Sequence, residues 1–400
     1  MNLEEINLQF KSSSEKFRRL RIIRCGILFF NILIKCTHLN TDCMKHLLSL
    51  VTLVALLFSS CSREMTQAEL FDLTKSGSVL ILNKFYYRLQ LPNNEVLYFS
   101  GVDAEGNLAN VTDNEAEISK HCSVMSGTGF FVDEKGLIMT NRHVAQPYIE
   151  EEQIQTGYRN LLRSIAMYYG IIKQKLSDEY NRLENMKPGC YYMGSDFALY
   201  DDTEKLNQIA QQQAELRETY SEVENLIRQI SALDDPRQLR ISSVCELGIA
   251  YNDTHVTGEK DFLQKNPCVI IRVSDKPDVD LALIQLKNKQ TPQNAYVFAI
   301  PSESDPLEMG QQLYMLGYNA GPQLATTKAG IQVQMTGGKV TQLSDGQRIL
   351  YDIATVQGSS GSPVIDTEGN LVGVNFAKLN GSDNFNFGIP IERVREFMKR

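Results

Sequence analysis

Two kinds of hydrophobic spacing divide the chain. Between positions 149 and 187, large apolar residues recur at steps of three or four, namely Ile154, Tyr158, Leu161, Ile165, Tyr168, Ile172 and Leu176. After a break at Pro188-Gly189 the same period returns in Leu206, Ile209, Leu216, Tyr220, Val223, Ile227 and Ile230, until it stops at Asp234-Asp235-Pro236. This heptad-like spacing, with Gln213 at its one polar step, predicts two helices paired as an antiparallel, coiled-coil-like hairpin.

The remaining sequence contains the short apolar runs of β-strands. A first group lies at 79–83, 85–91, 95–99, 130–132, 137–140, 269–273 and 281–286. A second group lies at 313–317, 331–335, 340–343, 349–353, 363–365 and 371–376, and positions 391–400 have the pattern of an amphipathic helix. We therefore expect a mainly β protein whose two groups of strands close two barrels, with the helical hairpin inserted in the first.

Three motifs supply the residue types of nucleophilic catalysis. His143 ends the run TNRH at 140–143, Asp280 begins DLAL at 280–283, and Ser360 lies in GSSGSP at 358–363. A serine hydroxyl is a poor nucleophile at neutral pH, so it needs an imidazole to take its proton and a carboxylate to orient that imidazole. We predict that Ser360, His143 and Asp280 have these three roles.

The glycines beside Ser360 also affect the backbone around it. They allow a sharp turn in which the amides of Gly358 and Ser360 converge on one point. Two such N–H groups form an oxyanion hole for a tetrahedral intermediate. We therefore predict an oxyanion hole formed by Gly358 and Ser360.

The order of the motifs separates competing hydrolase classes. An α/β-hydrolase has the sequence GxSxG and its histidine after the serine, whereas position 362 is Ser and the last histidine of this chain is His255. The order Asp, His, Ser of subtilisin could be built with Asp133, but that architecture alternates strands with helices. The strand-like flanks favour the order His143, Asp280, Ser360.

These motifs resemble those of a known family. GTGFFV at 127–132 and GLIMTNRHV at 136–144 are similar to the GTGF and TNxHV block of trypsin-like bacterial serine proteases of the HtrA and glutamyl-endopeptidase type. VDLALI at 279–284 resembles their DLAL strand, and GSSGSPV at 358–364 resembles their GNSGSPV block, with Ser359 where Asn or Asp is commoner. The resemblance covers about residues 75–147 and 241–400. It implies a chymotrypsin-like double β-barrel endopeptidase with its active site between the barrels.

The same resemblance implies which residues form the substrate pocket. They are Ala354 at its base, Asn375, Phe376 and Ala377 along its wall, and Asn386 nearby. None is charged, and no histidine of the glutamyl-endopeptidase kind is present, so we expect an uncharged substrate side chain of small or medium size. The sequence stops with the last predicted helix, at 391–400, and we expect no PDZ module of the kind that follows many HtrA-type proteases.

The N-terminal region resembles an export signal. Met44-Lys45-His46, the apolar run 47–58 and Ser59-Ser60-Cys61 have the order of a bacterial lipoprotein signal peptide, with Phe58 departing from the usual first position of the lipobox. The run is shorter than the ~20 residues of a membrane span. We expect lipid on Cys61 and a location at the bacterial cell envelope, facing the periplasm. Residues 1–43 are either a misassigned extension before a start at Met44 or a true extension with an internal hydrophobic anchor.

Net charge and cysteine spacing limit the partners and cofactors that the chain is expected to bind. Residues 1–60 hold 8 of the 40 Lys and Arg and 4 of the 48 Asp and Glu side chains, so the remainder has a net charge of −12. This balance argues against nucleic-acid binding. The later cysteines, Cys122, Cys190, Cys245 and Cys268, lack CxxC spacing, so neither a metal nor another cofactor is expected, and an oxidising compartment would allow two disulfides in any of three pairings.

The sequence thus predicts a protease domain from residues 61–147 and 241–400, a helical insertion at 148–240 and a signal peptide at 44–60. The predicted function is a serine endopeptidase that acts on protein or peptide substrates. The hairpin begins just after His143 in the sequence, so we expect it to overhang the cleft between the two barrels. The alternative is a catalytically silent lipoprotein of the same fold that binds a protein partner through the hairpin.

Overall fold

A computed structural model describes residues 65–233, 235, 238–378 and 386–399. Cys61, the predicted signal peptide and the predicted extension lie outside this part. The elements of the first half are α1 (Gln67–Thr74), β1 (Ser78–Gln90), β2 (Val96–Phe99), β3 (Gly101–Val102), β4 (Leu108–Ala109), α2 (Glu115–Ile118), β5 (Ser123–Phe131), β6 (Leu137–Thr140), α3 (Arg142–Ala145), α4 (Glu151–Met186), β7 (Tyr191–Met193), β8 (Leu199–Asp201) and α5 (Thr203–Ala232).

The second half contains the remaining strands of both barrels. Its elements are β9 (Arg240–Tyr251), α6 (Glu259–Lys265), β10 (Pro267–Val273), β11 (Ala282–Leu286), β12 (Gln312–Gly317), α7 (Pro322–Ala325), β13 (Thr326–Thr327), β14 (Gly330–Ile331), β15 (Gln334–Gln342), β16 (Ile349–Tyr351), β17 (Pro363–Ile365), β18 (Leu371–Lys378), β19 (Asn386–Pro390) and α8 (Ile391–Lys399). None of the helices in the described ranges is long and apolar enough to cross a membrane.

Six strands close the first barrel. They run in the order β1, β5, β6, β11, β10, β9, and β9 pairs back onto β1. Side chains alternate along β1, so Val79 and Ile81 enter the barrel interior with Phe131, Ile138 and Ile284. The next residues along β1, Leu80 and Leu82, lie on the other face, in a different core.

Six further strands, β12, β15, β16, β19, β18 and β17, close the second barrel around a core that includes Leu313, Tyr351 and Val364. Between the barrels lies a shared core in which Leu80 and Phe130 pack with Leu316, Tyr318 and Val374. The expected chymotrypsin-like double β-barrel with an inserted helical hairpin is confirmed.

Three details of the strand prediction were wrong. The runs 79–83 and 85–91 are one strand, because Lys84 between them projects to an ion pair with Glu259 at 2.8 Å without breaking the ladder. Strand β2 pairs with β1 outside the closed ring, and β9, which the apolar pattern did not mark, completes it. The run 331–335 is divided between β14 and β15.

Helices α4 and α5 form the insertion, which we call the arm. At 1.5 Å per residue, the 36 residues of α4 are about 54 Å long. Near its base, Ile154, Tyr158 and Leu162 pack on Tyr87 and Leu89 of β1. At the far end the helices are joined by the ribbon β7–β8, and Leu183, Cys190 and Ile209 form a small separate core.

Candidate active site

His143 and Asp280 are in direct contact. His143 lies on α3, the short helix after β6, and Asp280 lies just before β11, which is paired with β6. His143 Nδ1 is 2.6 Å from Asp280 Oδ2, and the backbone N–H of His143 donates to Asp280 Oδ1 at 3.0 Å. A carboxylate at Nδ1 favours the tautomer with its proton there, so Nε2 is left as the proton acceptor.

Two buried asparagines support this pair. Asn83 of β1 donates through Nδ2 to the carbonyl oxygens of Val144 and Ala145, both at 2.9 Å, and so holds the end of α3. Asn141 donates through Nδ2 to the carbonyl oxygen of Asp280 at 2.8 Å. Sequence analysis missed Asn83, for which the only signal was a lone amide in an apolar strand.

Ser360 lies in the loop between β16 and β17, where two glycines adopt left-handed backbone conformations. Gly358 has φ +99° and Gly361 has φ +86°. A Cβ at Gly358 would overlap the carbonyl oxygen of Tyr318, and one at Gly361 would overlap that of Thr128. Both the backbone angles and the close approach therefore require glycine.

The loop of Ser360 packs against the segment that leads to His143. A Cβ built on Gly361 would be 3.2 Å from the backbone nitrogen of Asn141, two residues before His143. Within the described part of the chain, no hydrogen bond joins Ser360 Oγ to the His143 ring. Catalytic hydrogen bonds in unliganded enzymes are often long and shorten when substrate binds.

Thr128 of β5 connects the loop to the first barrel. Its backbone N–H donates to the carbonyl oxygen of Ser360 at 2.8 Å. Its hydroxyl donates to the carbonyl oxygen of Gly358 at 2.8 Å and accepts the N–H of Tyr318 at 3.0 Å. The fully buried Thr128 is a second residue that sequence analysis missed as part of the site.

Hydrogen bonds to the carbonyls of Gln357 and Ser359 fix the directions of the two predicted oxyanion amides, because each carbonyl belongs to the same peptide group as one of these amides. The carbonyl of Gln357 accepts from Ala320 N–H at 2.7 Å, and the carbonyl of Ser359 accepts from Asn375 Nδ2 at 2.9 Å. In a trans peptide the N–H points opposite to the carbonyl, so the amides of Gly358 and Ser360 point away from these partners. Neither N–H has an acceptor among the described residues, so both can donate to a ligand.

The predicted pocket residues divide into two groups. Asn375 and Asn386 are buried, and their amides are engaged at both ends: Asn375 accepts from Tyr351 and donates to Ser359, while Asn386 accepts from Thr355 and donates to Ile353. Ala354 is exposed, and the half-buried Phe376 packs at 6.2 Å from the ring of Phe387. The side chain of Ala377 is outside the described structure. The two asparagines thus tie the segment 351–359 to β18 and β19, a role that the family resemblance does not imply.

The four cysteines of the described chain do not add a second candidate site. Cys122, Cys190, Cys245 and Cys268 are all free thiols. Burial raises the pKa of Cys268 to about 12 and also raises that of Cys245, so neither is suited to act as a nucleophile. In the ranges covered by the structure, no group of three His, Cys, Asp or Glu side chains is arranged to hold a metal ion.

Comparison with known proteins agrees with this geometry. Residues 241–374 match the family model of the trypsin-like peptidase domain, a range that contains Asp280 and Ser360 but not His143. The chain is 27% identical over 164 residues to serine protease HTRA1 of Xenopus laevis, covering 39% of this chain and 34% of that protein. It is 30% identical over 131 residues to a probable periplasmic serine endoprotease, DegP-like, of Chlamydia pneumoniae, covering 32% of this chain and 25% of that protein.

These matches are partial, since the chain spans only about a quarter to a third of the length of the relatives. A solved structure, the serine endoprotease from Yersinia pestis, aligns with 84% of this chain and 66% of its own at 12% identity, with a TM-score of 0.39. That score is too low to add to the fold assignment, which rests on the two closed barrels.

Proposed function

We propose that this protein is a serine endopeptidase that cleaves peptide bonds through an acyl-enzyme on Ser360. The observation that carries the proposal is the 2.6 Å contact between His143 Nδ1 and Asp280 Oδ2, next to a loop whose backbone presents two free amides. The match of residues 241–374 to the trypsin-like peptidase domain supports the same reaction.

The reaction proceeds in two halves. Ser360 Oγ attacks the carbonyl carbon of the scissile bond while His143 Nε2 takes its proton, and the amides of Gly358 and Ser360 bind the resulting oxyanion. The C–N bond breaks as His143 returns the proton to the leaving amine. Water, deprotonated by His143, then attacks the acyl carbon, and the hydroxyl of Ser360 is regenerated. Asp280 stabilises the imidazolium in both halves.

A fluorophosphonate probe tests this mechanism, because it reacts covalently with an activated serine. We expect the probe to label the wild-type protein at Ser360, and Ser360→Ala to abolish labelling. Asp280→Asn should slow it by about a thousandfold or more, because the imidazole loses its orienting carboxylate.

Ser362→Ala is the matched control, since Ser362 lies in the same loop but its hydroxyl is buried without a partner among the described residues. It should retain wild-type labelling. Labelling that persists in Ser360→Ala would place the nucleophile elsewhere. A folded wild-type protein that is not labelled would favour the catalytically silent binding module.

A further inference from the structure

The end of the arm carries a dense set of exposed apolar side chains. Six of the large apolar residues that are exposed in the described chain fall within the ten positions 191–200: Tyr191, Tyr192, Met193, Phe197, Leu199 and Tyr200. Clusters of this kind on a soluble protein mark interaction sites. We call residues 191–201 the tip.

The tip is an ordered ribbon. The Asp202 N–H donates to the Cys190 carbonyl at 2.8 Å at its base, and the Gly194 N–H donates to the Ala198 carbonyl at 2.9 Å at its turn. Tyr200 donates through its hydroxyl to Asp196 at 2.6 Å. At the turn, Phe197 has φ +56° and its side chain is 88% exposed. A left-handed conformation is unfavourable for a non-glycine residue, so the fold holds this aromatic ring in water against a local backbone preference.

Both faces of the ribbon are apolar. Tyr192 and Tyr200 are paired across the strands, with ring centroids 6.0 Å apart, on one face. Met193 and Leu199, also paired, lie on the opposite face because side chains alternate along a strand. An isolated two-stranded ribbon is only marginally stable in water, so a partner that covers these faces would stabilise it.

The ribbon also has open backbone edges. In an antiparallel pair, hydrogen-bonded residue pairs alternate with pairs whose backbone groups point outward. Cys190 with Asp202 and Gly194 with Ala198 are bonded pairs, so Tyr192 with Tyr200 is the bonded pair between them. The N–H and C=O groups of Tyr191 and Met193 therefore point outward from β7, where an extended chain can add as a third strand.

The acidic side chains around the tip limit which partners it can bind. Positions 184–205 contain five acidic side chains, Glu184, Asp196, Asp201, Asp202 and Glu204, and two basic ones, Lys187 and Lys205. The Tyr200 hydroxyl and the Ala198 N–H lower the pKa of Asp196, so this carboxylate at the turn stays ionised. The tip of a second copy and an anionic lipid surface would both meet like charge, whereas an extended segment with basic side chains would meet opposite charge.

We propose that the tip binds an extended polypeptide segment of another protein, apolar and basic in character, by strand addition to β7. The outward backbone groups of Tyr191 and Met193 supply main-chain hydrogen bonds. The aromatic side chains cover the apolar residues of the bound segment. The acidic residues where the ribbon joins the two helices form ion pairs with its lysines or arginines. This site is separate from Ser360 and does not depend on peptide hydrolysis.

The binding test uses the full chain with Ser360→Ala, so that no probe is cleaved. A fluorescein-labelled peptide of alternating Leu and Lys is titrated and its anisotropy measured, with the alternating Leu and Glu peptide as the charge control. We expect the Lys peptide to bind and the Glu peptide to bind at least about tenfold more weakly. Equal affinity for both peptides would overturn the proposal.

Two variants separate the tip from the rest of the molecule. Tyr192→Ser combined with Phe197→Ser removes apolar contacts, and Met193→Pro removes one outward N–H without touching a ladder bond. Each should weaken binding of the Leu and Lys peptide by about tenfold, which corresponds to about 1.4 kcal/mol of binding free energy. Met309→Ser, at an exposed apolar residue on the second barrel, should bind like the parent. Circular dichroism checks that each variant is folded.

Three results would contradict the proposal. The first is unchanged peptide affinity in either folded tip variant. The second is tip-dependent binding to vesicles of phosphatidylethanolamine and phosphatidylglycerol without peptide binding, which would indicate a membrane contact. The third is a tip-dependent dimer in sedimentation at micromolar concentration, which would indicate a second copy as the occupant.

Discussion

Thr128 of the first barrel is bonded to the loop of Ser360 in the second. It makes three contacts with that half of the molecule, to the carbonyls of Gly358 and Ser360 and to the N–H of Tyr318. Its own carbonyl accepts from the Thr140 hydroxyl at 2.7 Å, three residues before His143. Because Gly358 and Ser360 also supply the proposed oxyanion amides, a shift at Thr128 would move both amides and the proposed nucleophile together.

We expect Thr128→Val to lower both activity and stability. Valine has nearly the same shape but leaves the Gly358 carbonyl and the Tyr318 N–H without their partner, at a cost of about 1–3 kcal/mol in unfolding free energy. The displaced amides should reduce kcat for a short peptide substrate by about 10- to 100-fold, with a smaller change in KM. Thr128→Ser keeps the hydroxyl and is the control. Equal kcat in the valine and serine variants would contradict a positioning role.

Sequence analysis identified the residues whose chemistry is distinctive and missed those whose role depends on distant contacts. His143, Asp280 and Ser360 were predicted from residue type and motif, and His143 and Asp280 are in contact as expected. Asn83 acts on residues 61 and 62 positions away, and Thr128 acts on a carbonyl 230 positions away. Contacts over such separations are set by barrel closure, which no local pattern specifies.

At the scale of elements, the arm is held at its base by an apolar cluster shared with β1, β2 and β4. Gly157 of α4 lets the helix approach β4, since a Cβ there would be 2.7 Å from Leu108 Cδ2. The adjacent Tyr158 is fully buried, and its hydroxyl donates to the Leu233 carbonyl at 3.2 Å beyond the end of α5. One aromatic side chain therefore joins the barrel to both helices of the arm at its base.

Tyr158→Ala should loosen the base of the arm. Removing a buried aromatic side chain costs about 3–5 kcal/mol, which urea unfolding followed by circular dichroism would detect. Tyr168→Ala on the same helix is the control, because Tyr168 is 62% exposed and its loss should change stability by less than about 0.5 kcal/mol. Similar losses in the two variants would show that the base does not anchor the arm.

The elements that were missed have an evident physical reason. Strand β9 is exposed along most of its first half and buried only from Leu247 to Ala250, so its sequence lacks the alternation of a half-buried strand. The helices were predicted well because their regularly spaced apolar residues, except Tyr168, are buried or half-buried, some against the barrel and some between the helices. The ribbon at the tip was not predicted, since two strands of three residues are too short for a periodic signal.

At the scale of the whole molecule, the arm begins at Glu151, eight residues after His143. If a helical pair whose longer helix spans about 54 Å and begins this close to His143 overhangs the cleft, it should exclude a bulky substrate and admit a short peptide. The expectation that the arm restricts access to the proposed active site can therefore be tested separately from chemistry.

Shortening the arm while keeping its base provides that test. Lys173 Nζ lies 2.9 Å from Glu224 Oε1, so the helices are adjacent there, and residues 175–222 can be replaced by a short Gly-Ser turn. Ile154, Tyr158 and Leu162 remain on the barrel. We expect kcat/KM for a short peptide to stay within about twofold, and cleavage of a folded acidic protein with one exposed loop to rise by about fivefold or more, as a gate is removed. An acidic substrate avoids the peptide-binding chemistry of the tip, and its unchanged cleavage by the shortened protein would exclude gating by the distal arm.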